Sequence, residues 1–353
     1  MEIPRPARQR QTRVEMIARA AFAAVLLFAS AASAQDCKLR AVASLRTEAG
    51  PDNLLLVPAS VNGQQVLMLF DTGATRGILD AGFAQSLGLP ANRIPAAQPS
   101  FAVPRHPLLS FQTAPSMQFF TANGTRLNRY TVAPSFDLGG VHGTDVRFML
   151  AGFADPNIPP LKGILGSDRF RDYDVELDPR ARLVNLYSQD HCEGHVVYWA
   201  DAYSDIPIGL SQDGEIRLIM TLDGQELDTV LDTGASNTTL SLQAAHNVFG
   251  LDTDSPGVEK QSGEGRDGVY RTRFKSLVAG GVAIANPQIV LVRDALADRL
   301  KQEEIDAHHL MPDTRRTPQL ILGMDILRQL HVYIAYREKK LYVTAAAAGM
   351  PGH

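Results

Sequence analysis

Short runs of alternating apolar and polar residues fill most of this chain, and the same succession of runs occurs twice. Leu54 to Ser60 and Gln65 to Phe70 flank Asn62-Gly63, while Glu215 to Thr221 and Glu226 to Leu231 flank Asp223-Gly224. Period-two alternation on either side of Asn-Gly or Asp-Gly predicts a β-hairpin, because both turn residues must take positive φ. After each hairpin comes a short strand and then a helical stretch. The first runs from Ile78-Leu79-Asp80 to Leu87 and stops at Gly88; the second starts at Thr239-Leu240-Ser241, with Ser241 as its N-cap, and stops at Gly250. Leu138-Gly139-Gly140-Val141 answers Ala279-Gly280-Gly281-Val282, with later strand runs at Val146–Leu150 and Gln288–Val292. Each half ends on the same string, ILGSD at 164–168 and ILGMD at 321–325. A closing hairpin then follows, Tyr173–Leu177 with Arg182–Tyr187 and Val332–Tyr336 with Lys340–Thr344. Two β-rich lobes of one plan are expected, with the boundary near 190–200.

The halves differ by two insertions. Asp71 to Gly140 spans 69 residues against 49 from Asp232 to Gly281, an excess of 20 in the first half. Much of it falls in 90–118, a segment with six prolines that reads as an extended surface loop. Gly140 to Gly166 spans 26 residues against 42 from Gly281 to Gly323, an excess of 16 in the second half. There Arg293 to His309 reads as a surface helix.

The first 34 residues stand outside this plan. A basic stretch with Arg5, Arg8, Arg10, Arg13 and Arg19 precedes an apolar run from Ala20 to Ala29 and then Ala32-Ser33-Ala34. That layout predicts a secretory signal peptide over 1–34, and an exported protein, periplasmic or secreted. The apolar run is short for a membrane span, and no later segment is apolar enough for one. The remaining organisation is a lobe at 35–195, a lobe at 196–345 and a tail at 346–353. Two cysteines, Cys37 and Cys192, remain after cleavage, and an oxidising compartment makes a disulfide between them the expectation. The formal charge of −4 argues against a nucleic-acid partner. His191 and His195 flank Cys192 without further ligand types nearby, so a solvated linker, and no metal, is expected. No phosphate loop or dinucleotide fingerprint is present, and no cofactor is expected.

The candidate chemistry lies immediately after each hairpin. Positions 69–75 read LFDTGAT and 230–236 read VLDTGAS, which sets Asp71 and Asp232 apart by 161 residues, the offset of the hairpins themselves. A lone loop aspartate is ordinarily a turn or cap residue. Here each follows an apolar strand that would carry it toward an interlobe cleft. Gly73 and Gly234 let the chain turn tightly, and Thr72 and Thr233 offer hydroxyls to backbone groups across the junction. Two carboxylates brought face to face cannot both ionise easily, so they hold one proton between them and can activate water.

With its paired apolar-apolar-Asp-Thr-Gly-Ala loops and the later Ile-Leu-Gly, the chain resembles aspartic proteases of the retroviral-protease and pepsin type, as two retroviral-type units fused in tandem. The resemblance implies a mostly β, bilobal acid-protease fold with two pseudo-twofold related barrel-like lobes. It implies endopeptidase activity on a peptide or protein substrate, with Asp71 and Asp232 as the catalytic pair in a monomer. Thr72, Gly73, Ala74, Thr233, Gly234 and Ala235 would support the loops. Ala74 and Ala235 stand where pepsin-like loops carry a hydroxyl, which should leave the dyad's pKa values higher and favour mildly acidic to near-neutral pH. The resemblance also implies flap hairpins. The candidates are Gln261–Arg273, with Gly263, Gly265 and Gly268, and Phe119 to Tyr130, turning at Asn123-Gly124. Thr75, Ser236, Ser167 and Met324 replace the charged residues that lock retroviral dimers, so that network is expected to be absent. The alternative function is a catalytically silent peptide-binding or scaffold protein on the same fold.

Overall fold

Both predicted hairpins form. The computed structural model describes residues 37–50, 53–94, 119–120, 126–153, 161–211, 214–263, 268–293 and 318–346. Strands Leu55–Val61 and Gln64–Phe70 pair around Asn62 and Gly63 at φ 50° and 78°, and strands Ile216–Leu222 and Gln225–Leu231 pair around Asp223 and Gly224 at φ 46° and 85°. Two consecutive left-handed residues give the turn whose twist suits paired strands. The short helices also form. Ala81–Ser86 is capped by the Asp80 carboxylate, which accepts from the Phe83 N–H, and Leu242–Phe249 by Ser241 Oγ, which accepts from the Ala244 N–H. Gly250, at φ 63°, ends the second helix.

In each lobe the Ile-Leu-Gly strand slots between the strand that enters the Asp-Thr-Gly loop and the strand that leaves it. Gly163–Leu165 runs parallel to Gln64–Phe70 (Ile164 opposite Leu69) and antiparallel to Ile78–Asp80. Leu320–Leu322 does the same between Gln225–Leu231 and Thr239–Ser241. The first lobe continues through Val141–Ala151 and Arg129–Leu138, which returns to Leu55–Val61 and closes a six-strand ring. In the second, Thr239–Ser241 leads to Gln288–Val292, Val269–Arg273 and Glu259–Ser262. The Gly-Gly turns join Arg129–Leu138 to Val141–Ala151, and Ser276–Ala279 to Val282–Ala285.

The closing hairpins differ from the sequence reading in what they do. They do not close two separate lobes; they merge. Asp174–Asp178 pairs antiparallel with Leu330–Ala335 at the centre of one six-stranded sheet fed by both halves. Its outer strands, Ala41–Arg46 beside Leu183–Tyr187 and Ser204–Pro207 beside Lys340–Ala345, are related by the same 161-residue offset, Leu45 answering Ile206. The reason is burial. Val175, Leu177, Val332, Ile334, Leu341 and Val343 on one face join the main core, and neither hairpin could cover these residues alone.

The other face is polar and aromatic. Glu176 accepts from Asn185 Nδ2 (2.6 Å) and the Tyr198 hydroxyl (2.8 Å), and it lies 2.8 Å from His331 Nε2. Asp174 lies 2.6 Å from His191 Nε2. Trp199 stacks on His331 at 3.9 Å. This corrects one expectation: His191 is not on a solvated linker but is 1% exposed, because residues 191–199 fold back over this face and supply partners for its buried carboxylates. His195 is exposed. Cys37 and Cys192 are both disulfide-bonded, and as the chain has only these two cysteines the bond joins them.

Several expectations fall outside the described residues: the 1–34 leader, the proline-rich stretch from 95 to 118, Asn123, Gly124, Gly265, the 294–309 helix and the tail beyond 346. Among the described residues, no helix is long and apolar enough to cross a membrane.

Candidate active site

Asp71 and Asp232 each follow the last residue of a hairpin strand, and each loop is fixed from behind by the Ile-Leu-Gly strand. The Asp71 N–H donates to the Leu165 carbonyl (3.1 Å) and the Asp232 N–H to the Leu322 carbonyl (3.0 Å). Beyond the loops, Ser167 N–H donates to the Ala74 carbonyl (2.7 Å) and Met324 N–H to the Ala235 carbonyl (2.8 Å). A Cβ at Gly166 would fall 2.5 Å from the backbone carbonyl carbon of Arg76, and Gly323 is equally crowded by Asn237, so only glycine lets the two segments approach this closely.

The two loops grip each other through buried threonines. Thr72 Oγ1 donates to the Leu231 carbonyl (2.9 Å) and accepts from the Thr233 N–H (3.0 Å). Thr233 Oγ1 donates to the Phe70 carbonyl (2.6 Å) and accepts from the Thr72 N–H (3.0 Å). Each hydroxyl thereby satisfies a backbone donor and a backbone acceptor of the opposite half, inside a buried junction.

Above this grip the carboxyl groups meet. Asp71 Oδ1 accepts from the N–H groups of Gly73 (2.9 Å) and Ala74 (2.8 Å), and Asp232 Oδ1 from Gly234 (2.8 Å). The carboxyl of each aspartate packs onto the opposite loop's glycine: a Cβ on Gly73 would stand 2.5 Å from Asp232 Cγ, and one on Gly234 would strike Asp71 likewise. The two carboxyls thus face each other across the junction, close enough for each to act on the other's ionisation. Burial pushes Asp71 well above the usual aspartate range, and the neighbouring Asp232 charge adds to it. Burial raises Asp232 too, opposed by the Gly234 amide. Both residues retain partial access to solvent. The pair is therefore suited to hold one proton between two carboxyls while a small molecule reaches them.

The aspartyl-protease family model matches residues 57–100 and 218–326, one segment around each loop. Each half of the chain thus resembles aspartyl proteases around its Asp-Thr-Gly loop. The fold of the chain is the bilobal acid-protease fold, and the doubled Asp-Thr-Gly sits where that fold joins its lobes. Among solved structures, the crystal structure of Basic 7S globulin from soybean aligns at a TM-score of 0.49 with 11% identity, covering 89% of this chain and 98% of that chain, a likeness too distant to carry an argument. No curated protein matches the chain.

Two further aspartates support this site from behind. Asp168 Oδ1 accepts from the Gly77 N–H (2.8 Å), and Asp325 Oδ1 from the Thr238 N–H (2.8 Å) and Thr238 Oγ1 (2.7 Å). They pin the chain leaving each loop. The signal was available, since both end the repeated ILGxD string. Among the described residues Ser167 Oγ is buried without a hydrogen-bond partner, and Arg328 of the second lobe donates to Asn53 of the first (2.5 Å). Of the flap candidates, Glu259–Ser262 pairs with Val269–Arg273 in a hairpin with Gly268 directly before its second strand, and Phe119–Phe120 pairs with Arg126–Leu127. Gly263 has φ 66° where the first of these hairpins turns.

Proposed function

We propose that this protein is an exported, monomeric aspartic endopeptidase that hydrolyses peptide bonds with a water held between Asp71 and Asp232. The observation that carries the reading is the pair of buried carboxyls with raised pKa values, each packed on the opposite loop's glycine by interlocked Asp-Thr-Gly loops. The ionised carboxylate takes a proton from the water as its oxygen adds to the scissile carbonyl carbon. The protonated carboxyl gives its proton to the carbonyl oxygen. The resulting tetrahedral gem-diol collapses as a proton reaches the amide nitrogen and the C–N bond breaks, returning one proton to the pair. Either aspartate can begin as the base, because their surroundings are related by the pseudo-twofold.

One chain supplies both carboxylates, which supports a monomer with lobes at 35–195 and 196–345. The leader-like N-terminus and the Cys37–Cys192 bond support export. The hairpin at 259–273 is taken as a flap. The test is peptide-library cleavage by wild type, Asp71→Asn and Asp232→Asn across pH 3 to 8. Wild type is expected to cleave best at mildly acidic to near-neutral pH, and each variant to lose at least about a thousandfold, the scale set by disabling a unit that acts as a whole. Cleavage retained by either variant removes the dyad from the mechanism. Peptide capture without cleavage by wild type favours the silent binding protein.

A further inference from the structure

The 161-residue repeat includes a turn just ahead of each hairpin. In the first lobe the Gly50 N–H donates to the Leu54 carbonyl (3.1 Å); in the second the Ser211 N–H donates to the Glu215 carbonyl (3.0 Å). Among the described residues, each turn ends on one with positive φ, Asn53 at 68° and Gly214 at 91°. Each also crosses to the opposite lobe. Asn53 accepts from Arg328, and Gly214 packs on Ser167, whose Oγ lies 3.0 Å from where a Cβ on Gly214 would stand. Ser167 in turn holds the Ala74 carbonyl, so the second turn abuts the loop that carries Asp71. Glu215 follows directly, close enough for its charge to act on Asp232.

The residues leaving the two turns differ in kind. The first lobe has Leu54, Leu56 and Leu67; at the same offset the second has Glu215, Arg217 and Asp228. Arg217 donates through Nη2 to Glu215 Oε2 and through Nη1 to Asp228 Oδ2, both at 2.9 Å. Glu215 is thus held in place, at 28% side-chain exposure, with Oε1 making no hydrogen bond among the described residues. Two carboxylates around one guanidinium leave a formal charge of −1 on this flank, where the pseudo-equivalent flank is apolar. A solvated surface pair would contribute little; one beside a reaction centre biases which charge can lie there.

We propose that Glu215, held by Arg217, is a specificity-determining residue that reads a basic side chain of the substrate on the second-lobe flank of the dyad, with Leu54 meeting an apolar side chain at the equivalent place on the first. This rests on the peptide-substrate reading above. The test uses a positional-scanning octapeptide library in two arms: cleavage by wild type, and retention on immobilised Asp71→Asn protein. Each arm is repeated with Glu215→Gln, Glu215→Lys and Leu54→Glu added. Wild type should favour Lys or Arg over norleucine at one position beside the scissile bond. Glu215→Gln should lower that ratio about fivefold, the scale of one partly screened ion pair, and Glu215→Lys should invert it toward Glu. Leu54→Glu should create a basic preference on the opposite side of the bond. Ratios that ignore the charge at 215 overturn the subsite. Retention that follows that charge without any cleavage keeps the subsite and overturns the peptidase reading. Neither cleavage nor retention overturns both.

Discussion

At the scale of single residues, the two aspartates are held in a state that favours chemistry over stability. Each carboxyl has a raised folded-state pKa, first from burial. A group whose pKa is raised on folding contributes its full share of stability below its unfolded value, and loses that share as pH rises through the folded value. Asp71→Asn should therefore melt at a higher temperature than wild type at pH 7. The gain should vanish below about pH 4, where an unfolded aspartate is itself protonated. A calorimetric pH series checks this, and equal melting temperatures at pH 7 would count against a strained dyad. The threonines behave oppositely. Thr72→Val strips the hydroxyl that serves the Leu231 carbonyl and the Thr233 N–H. Two buried backbone groups would be left unpaired, a cost of about 3 kcal/mol, to be read in urea denaturation.

At the scale of elements, the Ile-Leu-Gly strand decides where each loop ends up. It pairs in opposite senses with the strands before and after the loop, so a shift of one residue would turn every apolar side chain of the strand outward. Its glycine is the point of closest approach. Gly166→Ala places a methyl against the Arg76 backbone, which cannot move aside like a side-chain tip. The expected loss is about 2–3 kcal/mol, together with a fall in activity as the Ser167 to Ala74 hydrogen bond stretches. The same substitution at Gly82, where the nearest atom is a flexible Asp80 oxygen at 3.2 Å, should do little by comparison.

At the scale of the whole molecule, the threonine grip, the Asn53–Arg328 bond and the shared six-stranded sheet all join the lobes. On that sheet Glu176 sits below the usual glutamate range although burial pushes it upward, because His331, Asn185 and Tyr198 together outweigh the burial. Glu176 comes from the first half and His331 from the second, so the pairing stitches the halves at their centre. The Cys37–Cys192 bond closes a long loop over the first lobe's sequence. Cys37→Ser with Cys192→Ser should cost about 4 kcal/mol by chain entropy; an unchanged urea midpoint would show that the bond constrains nothing.

The repeat of hairpin, Asp-Thr-Gly loop, helix and Ile-Leu-Gly was legible in the sequence because each part obeys a local rule. Asn-Gly and Asp-Gly need positive φ, Ser241 and Asp80 cap helices within three residues, and strands alternate with period two. The outer strands Ala41–Arg46 and Ser204–Pro207 went unread because four- to six-residue strands in partly polar sequence have no strong period. Pairing across more than a hundred residues leaves no local trace either, which is why Asp174–Asp178 read as the end of one lobe and not the middle of a common sheet. His191 was misread for the same reason: its partner Asp174 lies on another strand. By itself, then, the sequence determined the repeat and the two aspartates within it. Only the tertiary structure decided that their carboxyls face each other, that threonines lock the loops beneath them, and that Arg217 holds Glu215 beside them. Backbone propensities act over a few residues, whereas contact between residues 161 apart exists only once the chain has folded.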